Sequence, residues 1–213
     1  DGTIISPIDF IPVYEKSGLI SRLDRYIWEQ AAAKLGEWKK AGINMSISVN
    51  ISPKDFYYID IFNTFAGLIK KYDIEPSNLK IEITETTIMS DVPNLMGELE
   101  ELRKAGFTLE MDDFGSGYSS LNTLKDINVD VLKVDMGFIK ETKNVKKSRI
   151  ILASVIKMAK ELNLLIITEG VETEEQVDNL TKLGCDVFQG YYFSKAIDVN
   201  EFEKRYLYRT KAG

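Results

Sequence analysis

The sequence predicts an α/β protein in which helices alternate with parallel strands. Six segments show the alternation of apolar and polar residues that is typical of strands, and helical spacing of apolar residues occurs between them. Strands joined through helices pair in parallel, because a right-handed crossover needs the length that a helix supplies. We therefore expect a parallel sheet, either open or closed into a barrel.

Polar residues along the strands favour a TIM-type (βα) barrel over an open doubly wound sheet. Central strands of an open sheet are apolar on both faces. Here several strands are polar at every second position, as in Lys80, Glu82 and Thr84. Polar residues that converge near the carboxyl ends of strands suit the functional face of a barrel.

Periodicity and terminating residues place the individual elements. The predicted helices are 6–16, 19–40, 62–72, 95–104, 148–162, 174–183 and 199–206. The predicted strands are 45–51, 79–84, 107–111, 129–135, 164–168 and 186–189. No linker or low-complexity tract separates them, so residues 1–213 are expected to form a single domain.

Composition argues against several classes of site. With 27 Lys and Arg against 33 Asp and Glu, the net charge of −6 argues against binding to a nucleic-acid polymer. No apolar run is long enough to span a bilayer, so we expect no membrane contact from this segment and a cytoplasmic location, free or within a membrane-anchored parent. The absence of histidine and the single Cys185 exclude a histidine base and a CxxC zinc site.

The most informative stretch is the acidic turn Asp112-Asp113-Phe114-Gly115, which follows the third predicted strand. Two adjacent carboxylates there favour a cation, because their oxygens can converge where the strand frays. A structural alternative is that Asp113 or Ser119 caps the next helix while the glycines form a turn.

Other predicted strands also end in, or carry, a polar residue of a type that binds metal or phosphate. These residues are Asn50, Glu82, Lys133, Glu169 and Gln189. Oxygen ligands without sulfur or imidazole select Mg²⁺ or Mn²⁺, and two such ions can clamp the attacking and leaving oxygens of a phosphoester. Lys133 fits a residue that orients or deprotonates water or shields phosphate charge, and an ion pair with Glu82 or Asp135 inside the barrel is the structural alternative. Gln189 also fits an interior amide.

Six motifs in a fixed order extend over most of the chain. They are Ser48-Val49-Asn50-Ile51-Ser52, Ile81-Glu82-Ile83-Thr84-Glu85, the run 112–120, Leu132-Lys133-Val134-Asp135, Glu169-Gly170-Val171-Glu172-Thr173 and Gln189-Gly190-Tyr191-Tyr192-Phe193. Together they resemble the EAL domain of bacterial cyclic di-GMP phosphodiesterases. The resemblance implies the EAL variant of the TIM barrel and hydrolysis of cyclic di-GMP to linear pGpG with two Mg²⁺ or Mn²⁺ ions.

The resemblance also assigns roles to residues by matching motif. The implied metal ligands are Asn50, Glu82, Asp112, Asp113 and Glu169, with Asp112 bridging the two ions. The implied catalytic residues are Lys133, Glu169 and Gln189, of which Lys133 and Gln189 hold the attacking water. Candidates for substrate contact are Ser116, Asp135 and Phe193.

Regulation follows from the same resemblance. Glu85 is expected to anchor the loop 114–120, which in this family couples loop order and dimerisation to metal occupancy. The resemblance therefore implies a homodimer, and it implies regulatory or cyclase domains in the parent chain.

The Glu-Ala-Leu motif that names the family, whose glutamate is a metal ligand, is expected just before Asp1. The sequence thus predicts an N-terminally truncated barrel without its first two strands, in which the missing ligand puts activity in doubt. A noncatalytic cyclic di-GMP receptor or interaction module of the same fold is the alternative, since such modules arise by loss of ligands. A metal-dependent lyase or isomerase barrel would not explain Asp112 and Asp113 as neighbours.

Overall fold

The computed structural model describes residues 5–115, 124–135, 137, 145–185 and 187–208. These residues form two units that divide between Val131 and Leu132. Both units combine strands with helices, which confirms the predicted α/β class. Residues 116–123, with Ser116 and Ser119, lie outside the described ranges. The single domain stays a prediction.

The first unit begins with two helices, after which strands and helices alternate. Its helices are α1 (Pro7–Ser17), α2 (Ile20–Lys40), α3 (Asp55–Tyr58), α4 (Ile61–Tyr72), α5 (Glu85–Ile88) and α6 (Leu95–Lys104), with a 3-10 turn at Pro76–Asn78. Its strands are β1 (Ile47–Asn50), β2 (Leu79–Thr84) and β3 (Leu109–Phe114). The strands pair in parallel, as predicted, and their order in the sheet is β1-β2-β3.

The second unit continues the alternation. Its elements are β4 (Val131–Asp135), which begins at the boundary, α7 (Val145–Glu161), β5 (Leu165–Glu169), α8 (Glu174–Leu183), β6 (Val187–Phe188), α9 (Val199–Phe202) and a π-helical turn at Glu203–Leu207. β5 pairs in parallel with β6, with Ile167 opposite Val187. The described ranges thus supply six of the eight strands of a TIM barrel. Among the helices described, none is both long and apolar enough to cross a membrane.

Four elements differ from the predictions for identifiable reasons. The third strand does not end at Met111 but runs on to Phe114, because Asp112 is still paired with Thr84 of β2. The last helix, predicted to reach Tyr206, leaves α geometry after Phe202 and continues as the π-helical turn. The helices α3 and α5 were not predicted, because four residues are too few to show a helical period.

Side-chain caps set the ends of two of the longer helices. Asp60 accepts a hydrogen bond from the backbone N–H of Asn63 at 3.0 Å and so begins α4. Thr173 and Gln176 form a reciprocal capping box at the start of α8. α8 ends at Gly184, whose φ of 93° lies in the left-handed region that glycine adopts without strain.

Aromatic packing joins α2 and α4 in the core of the first unit. The Trp28 and Phe65 rings lie 4.9 Å apart between centroids, and Phe65 meets Phe107 edge-on at 5.7 Å. Trp28 and Phe65 are fully buried, as are Ile81 and Ile83 of β2. The core of this unit therefore lies on the side of the sheet to which the odd-numbered residues of β2 point.

Two carboxylates meet where α2 contacts the short helix α3. Asp55 is fully buried, and its Oδ2 accepts a hydrogen bond from the Ser52 backbone N–H at 2.7 Å. Burial, followed by the charge of Asp55 and a hydrogen bond to it, raises the pKa of Asp24 to about 7. Below about pH 7, Asp24 is therefore largely protonated and can donate a hydrogen bond to Asp55.

We expect the Asp24→Asn variant to lose part of the pH dependence of unfolding. The pKa of Asp24 is about 7 in the folded protein against an ordinary value of 3.8, so between these values the folded state holds a proton that the unfolded state has released. Stability of the parent therefore falls as pH rises through this window. Asparagine keeps a donor and carries no charge, so the variant lacks this loss. The urea midpoint of Asp24→Asn minus that of the parent should therefore be larger at pH 8 than at pH 5.

The matched control is Asp178→Asn, at an exposed position on α8. Its midpoint should follow the parent at both pH values. A difference between Asp24→Asn and the parent that does not change with pH would contradict the shared proton.

Candidate active site

Three of the predicted metal ligands lie on one face of the first unit's sheet. Asn50 of β1 is the Cα partner of Glu82 of β2, and Asp112 of β3 is the partner of Thr84, two residues further along β2. Partners on neighbouring parallel strands share a face, and so do residues two apart on one strand. The register therefore brings Asn50, Glu82 and Asp112 to the carboxyl edge of the same face.

The backbone of Asn50 is held from two sides. The Trp28 indole Nε1 donates a hydrogen bond to the Asn50 carbonyl oxygen at 2.9 Å. The next residue, Ile51, donates its backbone N–H to the Glu82 carbonyl oxygen at 3.0 Å. Because Trp28 is fully buried in α2, the end of β1 is fixed against both the helix and the neighbouring strand.

A left-handed residue changes the course of the backbone at the two aspartates. Asp113 has φ of 55°, and its backbone N–H donates to Asp112 Oδ1 at 2.9 Å. Strict alternation would send neighbouring side chains to opposite faces, but it does not hold through a residue with positive φ. Asp112 is half-buried and Asp113 is exposed, so the local turn presents two carboxylates in different surroundings.

Glu85 lies where β2 passes directly into α5. Its side chain is 3% exposed, and the preceding Thr84 caps the helix by accepting a hydrogen bond from the Thr87 backbone N–H at 3.2 Å. The loop that Glu85 is expected to anchor falls largely outside the described residues, and so does Ser116. The anchoring role therefore stays a prediction.

In the second unit, Lys133 and Glu169 form a buried ion pair. Lys133 Nζ lies 2.9 Å from Glu169 Oε1, and their side chains are 5% and 17% exposed. Lys133 is in the middle of β4, and Glu169 is the last residue of β5. An ion pair of Lys133 with Glu82 or Asp135 was the alternative considered from the sequence; the structure shows its pairing with Glu169, another predicted site residue.

A cavity of about 580 Å³ opens beside this ion pair. Three predicted site residues line it, namely Asp135, Glu169 and Gln189. The other lining residues are Gly170, Glu172, Gly190, Tyr191, Ser194, Lys195 and Ala196. Volumes of this order are typical of small-molecule sites, so the second unit can hold a ligand of moderate size.

Backbone contacts fix the wall of the cavity at Gly190. Gln189 donates its backbone N–H to Thr168 at 2.8 Å and accepts one from Val171 at 3.1 Å. A Cβ atom on Gly190 would lie 2.1 Å from the Val171 carbonyl oxygen, so only glycine fits. This close approach holds Gln189 beside the end of β5.

Sequence reasoning missed three of the cavity residues, Glu172, Tyr191 and Lys195. Lys195 Nζ lies 5.6 Å from the centre of the Tyr191 ring, within the range of a cation–π contact. The available signal was position, because segments that follow the carboxyl ends of barrel strands form the functional face. Phe193, which the sequence did select, packs on Phe188 with ring centroids 6.4 Å apart.

The donor chemistry of the first unit's edge fits Mg²⁺ or Mn²⁺. It consists of the Asn50 amide and the carboxylates of Glu82, Asp112 and Asp113, which are the oxygen ligands that these ions prefer. Over the described ranges, no group of three or more acidic or cysteine side chains is close enough to hold a metal ion unaided. Metal binding therefore stays a prediction.

A family model described as "EAL domain" matches residues 1–196. The chain belongs to the EAL domain family. The signaling protein YkoW of Bacillus subtilis is 35% identical to it over 204 residues, which is 96% of this chain and 26% of YkoW. The bifunctional diguanylate cyclase/cyclic di-GMP phosphodiesterase MucR of Pseudomonas aeruginosa is 34% identical over 199 residues, 93% of this chain and 29% of MucR.

A solved structure confirms the fold of this EAL domain. The structure described as PaMucR phosphodiesterase in complex with c-di-GMP is 33% identical, with a TM-score of 0.86 over 95% of this chain and 82% of that one. The predicted EAL variant of the TIM barrel is thereby confirmed. The chain spans only about a quarter to a third of the length of the curated relatives YkoW and MucR.

The Lys133→Met variant is expected to destabilise the EAL domain. Removing Lys133 leaves the Glu169 carboxylate in a largely buried place without this cation, and breaking a buried pair costs about 3–5 kcal/mol. We expect about 3 kcal/mol, the low end, because Glu169 keeps some contact with solvent. Chemical denaturation measures the loss.

Lys182→Met is the control, since Lys182 is exposed in the last turn of α8. It should cost less than about 1 kcal/mol, the usual contribution of a cation at a helix end. Equal small losses for both variants would contradict a stabilising role for the Lys133–Glu169 pair.

Proposed function

We propose that this EAL domain hydrolyses cyclic di-GMP to linear pGpG in bacterial second-messenger signalling, with two Mg²⁺ or Mn²⁺ ions as cofactors. The observation that carries the proposal is the shared face of Asn50, Glu82 and Asp112 at the carboxyl edge of parallel strands. The substrate is suggested by the MucR relative, described as a cyclic di-GMP phosphodiesterase, and by the solved c-di-GMP complex.

The acidic and amide residues have the role of holding the ions. Asn50, Glu82, Asp112 and Asp113 would bind the ions from the first unit's edge, and Glu169 is a proposed ligand by its motif alone. When bound, the ions activate water and neutralise charge on the phosphate. The left-handed turn at Asp113 supports the assignment, because it frees the two aspartates from strict alternation.

Lys133 and Gln189 have the role of orienting the attacking water. In hydrolysis, the water oxygen bonds to one phosphorus, the bond from that phosphorus to a ribose oxygen breaks, and this oxygen takes up a proton. A lysine ammonium has three N–H donors, and Lys133 directs one to Glu169. A cation held in this way also stabilises negative charge that develops on the phosphate.

The cavity of the second unit is proposed to accept one guanine of the substrate. The Tyr191 ring, exposed at its mouth, offers a face for base stacking. Asp135, which accepts a hydrogen bond from the Gly137 backbone N–H at 2.6 Å, retains acceptor capacity for guanine N–H groups. Phe193 and Ser116 remain proposed contacts, supported by their motifs alone.

We further propose that the domain works as a homodimer in the cytoplasm, within a protein that also carries regulatory or cyclase domains. The greater length of YkoW and MucR supports additional domains. Sedimentation of the natural protein with and without cyclic di-GMP and Mn²⁺ tests the dimer.

The deciding experiment follows pGpG by chromatography. The 213-residue chain, and the protein as its gene encodes it, are incubated with cyclic di-GMP and Mn²⁺. Turnover by the natural protein supports the enzyme, and turnover by that form alone assigns an essential part of the site to residues beyond this chain. If both forms bind cyclic di-GMP without turning it over, the enzyme proposal fails and a receptor function is supported instead.

Asp112→Asn is expected to abolish hydrolysis while the protein stays folded. The change removes one anionic oxygen from the proposed bridging ligand but keeps its size, and the Asp113 N–H can still donate to the amide oxygen. Loss of a group that only supports a ligand costs about 10–100-fold, so loss of the bridge should exceed that range. Asp178→Asn should turn over as the parent does. Mn²⁺-dependent turnover retained by Asp112→Asn would overturn the two-metal assignment.

A further inference from the structure

A buried carboxylate outside the proposed ligand set lies directly beside it. Glu110 of β3 is 1% exposed, and it is the Cα partner of Glu82. The two side chains therefore share a face on neighbouring strands. An unpaired buried carboxylate at this place would be costly, and it would add a negative charge next to a proposed metal ligand.

Both oxygens of Glu110 have partners from the other two strands. Lys80 Nζ of β2 lies 3.0 Å from Glu110 Oε1, and Ser48 Oγ of β1 donates to Glu110 Oε2 at 2.8 Å. We call Ser48, Lys80 and Glu110 the three-strand clasp. The positive charge of Lys80 and the negative charge of Glu110 cancel, so the clasp adds no net charge near the carboxyl edge of the sheet.

The clasp residues are close in sequence to the proposed ligands, and Glu110 is level with Glu82 across the sheet. Ser48, Lys80 and Glu110 each lie two residues before Asn50, Glu82 and Asp112 on the same strands. Each member of the clasp is thus the preceding residue on the same face as a ligand. Only one residue on each strand separates a clasp residue from a proposed ligand. The clasp contacts therefore limit how far Asn50, Glu82 and Asp112 can move.

One contact of the clasp reaches across the middle strand. Neighbouring strands lie about 4.8 Å apart, so β1 and β3 are separated by about twice that spacing. Ser48 and Glu110 nevertheless meet at 2.8 Å across β2. The hydrogen bond therefore ties β1 directly to β3 over the face of β2.

We infer that the three-strand clasp is a positioning device for the metal ligands Asn50, Glu82 and Asp112, an inference that rests on the proposed function. Stability alone does not account for it, because a buried ion pair contributes little compared with well-packed apolar side chains. The clasp instead holds the three strands at a fixed spacing, and it neutralises Glu110 so that this carboxylate does not compete with its neighbour Glu82 for a cation. Glu110, Lys80 and Ser48 are positioning residues and need not touch the metal.

The test separates positioning from stability with the double variant Lys80→Met/Glu110→Leu, made in the natural protein. Both side chains are replaced by apolar ones of similar size, so the melting temperature should stay within about 4 °C of the parent. Mn²⁺ binding, measured by the electron paramagnetic resonance of the free ion, should weaken about 10–100-fold. This readout needs no turnover.

Two further variants sharpen the result. Glu110→Gln keeps the shape of the side chain and an acceptor for Ser48 but removes the charge, so it should also weaken Mn²⁺ binding even if the double variant fails to fold. Lys71→Met removes an exposed lysine that pairs with Glu29 on the first unit's surface, and it should bind Mn²⁺ as the parent does.

Each outcome bears on one of the two claims. If the parent binds Mn²⁺ and the folded clasp variants bind it equally well, the clasp is merely structural and the inference is overturned while the proposed function stands. If the parent itself does not bind Mn²⁺, the two-metal proposal fails and the positioning role fails with it. Weaker binding in Lys71→Met as well would also overturn the inference, because the effect would then not be specific to the clasp.

Discussion

In-register parallel pairing of β1, β2 and β3 is the constraint on which the first unit depends. Because side chains alternate along each strand, one register separates the apolar core residues Ile81 and Ile83 from the polar residues Glu82 and Thr84. A shift by one residue would send the whole apolar set to the other face. Burial of the core therefore fixes the carboxyl edge where the proposed ligands lie.

Several buried charges in the described part of the EAL domain have a polar or charged partner. Lys133 pairs with Glu169, Glu110 is held by Lys80 and Ser48, and Asp24 shares a proton with Asp55. Such pairs bring little net stability compared with apolar packing, so their presence calls for another reason. Positioning of side chains that act on a charged substrate supplies one, and it links the polar interior to the proposed phosphodiester chemistry.

The second unit contributes a different kind of site. Its ion pair is rigid, since β5 holds Glu169 at its end and β4 holds Lys133 in its middle. Its cavity, by contrast, is walled largely by the segment after β6, with Tyr191 and Lys195 on exposed backbone beyond a strand of two residues. A buried ion pair beside exposed aromatic and cationic side chains suits recognition of a ligand that has both phosphates and bases.

The sequence by itself determined the α/β class, the six strands, the EAL family and the types of residue at the strand ends. These features are local, because periodicity, capping residues and short motifs can be recognised without knowing what packs against them. The same reasoning selected Asn50, Glu82 and Asp112 as one set, and the register shows that they share a face.

Only the tertiary structure decided which charges meet. Lys133 had several possible partners in the sequence, and in the folded chain it forms an ion pair with Glu169. Glu110 and Lys80 look like any polar residues of an alternating strand until β2 and β3 are brought side by side. Contacts of this kind join residues that are far apart in the chain, and their geometry depends on register and sheet curvature, which no local pattern encodes.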